Sequence, residues 1–247
     1  MPLLPITAGG PGDQFDGSST TDQRNHPLGS SMYFADGRRF RYGQATATAI
    51  ATARLCQQTL NDANWDELVV PTARAIGDKQ ITVTNGTAVI TVDLFKDGYL
   101  NVEDDTGEGY LYTIEGNSAA ANGAACTVDI RDKSGLQVAW TVSTTVNLFA
   151  NPYGRIIIHP SPATALLVGV TPRVIAASRY GWFQTWGPAS VLVEGTHVIN
   201  ECVIDSATAD GAVAPTASTA AGEENYVGVV CEVAATTEQG VVYLRIS

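Results

Sequence analysis

The side chains that could do acid–base, nucleophilic or metal chemistry are few in this sequence and scattered along it. His26 lies in a polar stretch, His159 stands before Pro160, and His197 opens a strand-like run. None belongs to a G-x-S-x-G, P-loop or H-E-x-x-H string, the arrangements that put a nucleophile, a phosphate cradle or a zinc pair on one turn or helix face. His159 and His197 read as structural residues satisfied within the fold. Cys56, Cys126, Cys202 and Cys231 contain no C-x-x-C pair and read as reduced, mostly buried small hydrophobes. Cys202 and Cys231 fall in neighbouring predicted strands, which leaves a pairing between them open. The run EDDTGEG at 103–109 gathers Glu103, Asp104, Asp105 and Glu108 around glycine but lacks the D-x-D-x-D-G order of a calcium loop. It reads as a solvated acidic turn, and Asn85-Gly86-Thr87, a glycosylation sequon by pattern, reads as a turn as well. The expectation is a chain with no catalytic residue, no metal and no cofactor.

Two segments carry binding chemistry instead. Arg38, Arg39, Phe40 and Arg41 form the one basic concentration in the chain. On a strand, Arg39 and Arg41 share one face while Arg38 and Phe40 share the other. Planar guanidinium groups in such a place suit an acidic partner surface, although arginines snorkelling over a sheet edge would look the same. Tyr180, Trp182 and Trp186 form the second segment, with Phe183 between them; regular alternation puts Tyr180, Trp182 and Trp186 on one face. A tryptophan pair there can cap a core, or stack a sugar or a partner.

Charge bounds the partners. The 247 residues carry a net charge of −11, and charged residues make up only 16% against 45% hydrophobic. A nucleic-acid footprint needs lysine and arginine clustered over a face, so none is expected. From Gly187 onward Arg245 is the one basic residue, against eight acidic ones. This asymmetry suits a protein that docks through its N-terminal part and displays its C-terminal part. No apolar run approaches the roughly 18 residues that span a bilayer, and MPLLPITAGGPGD has no basic n-region with an apolar h-region, so neither a membrane nor a secretory route is expected.

The elements that must hold these residues are almost all β. Residues 1–31, rich in proline, glycine and small polar side chains, read as an extended arm that orders only against another chain. Residues 31–44 read as a hairpin around a two-residue turn at Asp36-Gly37. The alanines of 45–63 make a short helix near 45–60 the one helical candidate, opposed by their interleaved threonines. From Trp65 the punctuation is β throughout: strands at 67–75, 79–86, 87–95, 98–105, 109–116, 125–131, 136–143, 154–160 and 171–178, with hairpin turns at Asn85-Gly86 and Asp97-Gly98. That spacing indicates an antiparallel β-sandwich or barrel. The expected division is the arm at 1–31, a β-rich main domain at 32–178 and a small C-terminal β module at 179–247.

Several strings resemble a known group. LGSSMYFADGRRFRYGQATATA, the stretch from GEGYLYTIEGN to NPYG, RYGWFQTWGPASVLVEG and the terminal DGAVAPTASTAAGEENYVGVVCEVA look like virion structural proteins of tailed bacteriophages, the last in the style of head-decoration modules. The resemblance implies a capsid decoration or cement protein, made in the host cytoplasm and bound as a trimer to the lattice of the major capsid protein on the virion surface. It carries no active site over to this chain. The alternative is a head or tail fibre module that binds host glycan or receptor through 180–186.

Overall fold

In a computed structural model, which describes residues 6–15, 26–216 and 225–246, alternating burial folds the described residues into seventeen strands and two short 3-10 turns. The fold is mainly β, as the alternation requires. The chain divides into unit 1, Met1–Leu60 with Pro152–Ser247, and unit 2, Asn61–Asn151.

Unit 1 contains β1 (Ile6–Gly9), β2 (Ser31–Phe34), β3 (Arg39–Gln44) and β4 (Leu55–Gln58). Unit 2 supplies β5 (Leu68–Val69), β6 (Gln80–Thr84), β7 (Tyr99–Asp104), β8 (Leu111–Asn117), β9 (Ala125–Ile130) and β10 (Thr145–Phe149). Unit 1 then resumes with β11 (Ile156–Ile158), β12 (Leu167–Val170), β13 (Tyr180–Val193), β14 (Cys202–Asp205), β15 (Ala212–Pro215), β16 (Tyr226–Glu232) and β17 (Gln239–Arg245).

In unit 1 the long strand β13 belongs to two pairings at once. Its first half pairs antiparallel with β3, and through Val170↔Gln184 with β12, which continues to β4 and β11. Its second half closes a ring: β13 pairs with β15, β15 with β14, β14 with β16, β16 with β17, and β17 returns to β13. A closed ring has no free edge to template aggregation. Val191, Val193, Val203, Val213, Val227, Val242 and Leu244 fill its interior.

Unit 2 is an antiparallel sheet in the order β5-β10-β7-β8-β9-β6, whose edge strands β5 and β6 touch, so the sheet curls around its own core. Leu100, Val102, Ile114, Val128, Val146 and Leu148 point inward, while Tyr99, Asn101, Asn147 and Phe149 alternate outward.

Three pairs of loops are clasped by an isolated bridge in which two residues exchange both backbone hydrogen bonds. These are Ile50 with Ile175 (2.8 and 2.9 Å), Arg74 with Trp140 (3.0 and 2.9 Å), and Ile90 with Ala120 (2.9 and 2.9 Å). Three residues after the bridge the backbone usually turns left-handed: Ala53 (φ 59°), Gly77 (91°), Asp93 (58°), Gly123 (68°) and Ser178 (59°). The segments 87–95, 136–143 and 171–178 are therefore not strands, as their alternation suggested, but tight loops pinned by one bridging residue each, Ile90, Trp140 and Ile175. Buried amides support them. Asn117 accepts from Phe95 N (2.8 Å) and donates to Thr91 O and Ser118 O (both 2.9 Å), while Asn85 donates to Ala88 O (2.6 Å) and Ala121 O (2.9 Å).

Other expectations are corrected. No α-helix occurs among the described residues. Across 45–60 several backbone donors go to distant carbonyls, Ala45 N to Arg179 O, Ala53 N to Thr171 O and Leu55 N to Gly211 O, so a continuous i→i−4 ladder is broken. The division at 178/179 falls just before β13, the strand that organises unit 1; the separate body is the insertion Asn61–Asn151. Asn85-Gly86 and Asp97-Gly98 end and begin strands without forming hairpins. The described part of the N-terminal arm belongs to this chain's own sheet, because β1 runs parallel to β2 in the register Ile6↔Ser31 to Gly9↔Phe34. Residues 1–5 and 16–25 of that arm lie outside the described residues. The cysteines are free, Cys56 and Cys126 buried but Cys202 and Cys231 exposed.

Asn117→Ala is expected to destabilise unit 2 by about 2–3 kcal/mol, because it strands the buried Phe95 N–H and two carbonyls. Hydrogen exchange at Phe95 should accelerate while the β13 amides of unit 1 keep their protection; unchanged exchange at Phe95 would contradict this account.

Candidate functional site

The hairpin β2–β3 turns through Ala35, Asp36 and Gly37, with Gly37 at φ 88° and Phe34 N bonded to Arg38 O (3.0 Å). This three-residue loop sets Tyr33 opposite Arg39. On β13 a bulge between Gln184 and Trp186 shifts the register, so that Gln184 faces Phe40 but Trp186 faces Arg39. Because side chains alternate faces, the bulge places Trp186 on the face opposite Trp182. The Gln184 amide holds the kink by donating to Trp186 O (3.1 Å) and Pro188 O (2.8 Å), and Gly187 supplies φ 87°.

The outcome is a row across four strands on the open face of unit 1. The Arg39 guanidinium lies 5.5 Å from the Tyr33 ring centre and 5.2 Å from the Trp186 ring. Trp186 meets Tyr243 edge-on at 6.0 Å and donates its indole N–H to the phenol oxygen (3.2 Å). Arg245 closes the row 5.9 Å from the Tyr243 ring. Tyr33, Arg39 and Arg245 are exposed, and Trp186 and Tyr243 are half-buried. Neither guanidinium makes an ion pair with a described residue, so both charges remain available to a partner.

The other residues singled out from the sequence are committed elsewhere. Phe40 is buried, and Arg38 pairs with Asp36 (2.8 Å) and covers the Phe34 and Phe40 rings (4.7 and 5.8 Å). Arg41 donates to Gly29 O (3.1 Å) and Ser31 Oγ (2.5 Å). Trp182 is buried against Met32, Phe40 and Tyr42, and Tyr180 stacks on Tyr42 at 5.9 Å. Of the seven, the structure thus brings only Arg39 and Trp186 together in the open. Tyr33, Tyr243 and Arg245 escaped the sequence reading. A three-residue reading of the Asp36-Gly37 turn would have paired Tyr33 with Arg39, but nothing in the sequence announces that β17 lies beside β13.

The histidines serve the scaffold. His159 sets its ring nitrogens 2.7 Å from Pro160 O and 2.8 Å from Ala212 O, and His197 bonds Glu194 O (2.9 Å). In the acidic turn, Asp105 accepts from the hydroxyls of Thr141 and Thr144. What the row offers is guanidinium charge lying against π faces. No protein-family model, no curated protein and no solved structure matches the chain.

His26 packs between Tyr42 (5.1 Å) and Trp182 (5.2 Å) beneath this face, and its burial holds the imidazole below its ordinary range. A depressed folded-state pKa means the unfolded chain binds the proton better. The His26 contribution is therefore complete above about pH 6.5 and is lost as pH falls toward the folded value. Thermal unfolding should show the native chain losing more Tm than His26→Gln as pH falls from about 7.5 to about 5.5. Parallel losses in the two proteins would count against the packing of His26.

Proposed function

We propose that this chain is a virion structural protein of a tailed bacteriophage, a decoration or cement protein that docks on the major capsid protein lattice and stabilises the head. The observation that carries the docking is the exposed row Tyr33, Arg39, Trp186, Tyr243 and Arg245. Tryptophan, tyrosine and arginine are the residues that dominate protein–protein hot spots, and here they stand on paired strands, with Trp186 and Tyr243 half-buried and hydrogen-bonded to each other. The sequence resemblance supports a capsid as the partner. The partner's chemistry follows from the row: a shallow acidic protein surface, since two guanidinium groups here await anions while the chain at large is acidic.

Binding of the purified protein to heads that lack it is the test. Arg39→Glu and Trp186→Ala are expected to weaken occupancy by about 30-fold or more, the cost of about 2 kcal/mol at a hot spot. Arg41→Glu acts on a group engaged internally and should affect folding before binding, and Glu108→Lys, on unit 2, should leave occupancy unchanged. Equal occupancy for the native chain and Arg39→Glu would sink the reading.

A trimer accompanies it. The surface is poor in charge, and Ile76, Val89 and Val92 project 68%, 67% and 69% exposed from the clasped loops. Such side chains favour burial in a homo-oligomer, and capsids offer three-fold positions. Light scattering is expected to report about three times the mass of one chain, in solution or on the head; isolated single copies in both settings would refute the trimer and leave the docking untouched.

A further inference from the structure

The outer face of unit 2 carries a groove of about 410 Å³ that the docking reading does not use. That volume falls within the roughly 300–1,000 Å³ of small-molecule sites. Its floor is set by strand register: Asn147 on β10 lies opposite Asn101 on β7, which lies opposite Leu111 on β8, and Phe149 lies opposite Tyr99. Each is the outward member of its alternation, and Asp66, just before β5, completes the wall.

The hydrogen-bonding groups here are arranged but mostly unengaged. Asn147 Oδ1 accepts from Glu67 N (2.7 Å), which fixes the amide and leaves its NH₂ free to point at a ligand. The Asn101 amide, the Tyr99 hydroxyl and the Asp66 carboxylate make no side-chain hydrogen bond with a described residue. Glu103, the next outward residue on β7, has a buried Oε2 without a partner among the described residues.

We infer that this groove binds a neutral saccharide. Sugars present hydroxyls that both donate and accept beside an apolar C–H face, and the groove matches each: amide donors at Asn101 and Asn147, acceptors at Asp66 and Asn101, and flat aromatic surface at Tyr99 and Phe149. An anionic ligand meets a carboxylate wall; burial first, then the neighbouring charges of Glu103 and Asp62, already holds the Asp66 carboxyl above its usual range. A bare cation would find the carboxylates of Asp66 and Glu103, but Asn147, whose oxygen already accepts from Glu67 N, has its NH₂ as the unengaged group, and an NH₂ cannot ligate a cation. The assignment stands independently of the row on unit 1, because every residue in it belongs to Asn61–Asn151.

The test is binding of the full chain to an immobilised panel of neutral oligosaccharides ending in glucose, galactose, mannose or N-acetylglucosamine, with sialylated glycans and spermidine as charged probes. At least one neutral glycan is expected to bind, with Asn101→Ala and Asp66→Ala each weakening it tenfold or more at unchanged Tm. Arg39→Glu is expected to bind like the native chain, which separates this site from the docking row. The assignment is overturned by no binding across the neutral panel, by binding indifferent to both groove variants, or by preference for the sialylated or polyamine probes.

Discussion

Unit 1 depends on the double membership of β13. A fourteen-residue strand is about 46 Å long at ~3.3 Å per residue, far longer than the strands it joins. One half must lie in the sheet of β3 and β12 while the other closes the ring with β15 and β17. A regular strand would give both halves one set of faces. The bulge before Trp186 lets the halves differ, so that Trp182 enters the aromatic core while Trp186 emerges beside Arg39. The Gln184 amide spans the irregularity there, bonding two carbonyls, one of them at a proline that has no N–H to give.

Unit 2 solves a related problem more locally. Long connections between strands carry backbone groups that cannot remain buried and unpaired. The Arg74–Trp140 and Ile90–Ala120 clasps, with Asn85 and Asn117 beneath, satisfy those groups without adding a strand. The clasps bury Trp140, Ile90 and Ala120 and expose neighbouring side chains, as with Val89 and Val92 around Ile90. The curled sheet then keeps its outward alternation free, which is why a groove with engaged and unengaged amides can exist on it.

Those same clasps explain what was and was not legible beforehand. The β class could be read because alternation is a local property: a buried Leu100 between half-exposed Tyr99 and Asn101 is written in three consecutive residues. A clasp writes the same three-residue signature, so 87–95, 136–143 and 171–178 look like strands until their partners are known. The helix expectation at 45–60 failed for the complementary reason, since alanine propensity is weak and the donors of Ala45, Ala53 and Leu55 are taken by carbonyls more than a hundred residues away. Register decided the site. One extra residue in the 35–37 turn moves Arg39 under Tyr33, and one in β13 moves Trp186 out from the core; a slip of one exchanges faces, and neither insertion has a sequence signature strong enough to count.

The acidity of the chain bears on how the row works. At physiological salt a charge is screened beyond about 8 Å, so a partner at a distance meets the net −11 of the whole and an acidic one is not drawn in. Only at contact do Arg39 and Arg245 dominate, each already lying against aromatic surface. A guanidinium so placed is less strongly hydrated than an ammonium and surrenders less water on burial. Attraction that acts only at contact favours a slow, register-specific approach over non-specific electrostatic capture. Under the proposed docking, that suits a partner presented as an ordered lattice, where local concentration is high and the wrong orientation is the main competitor.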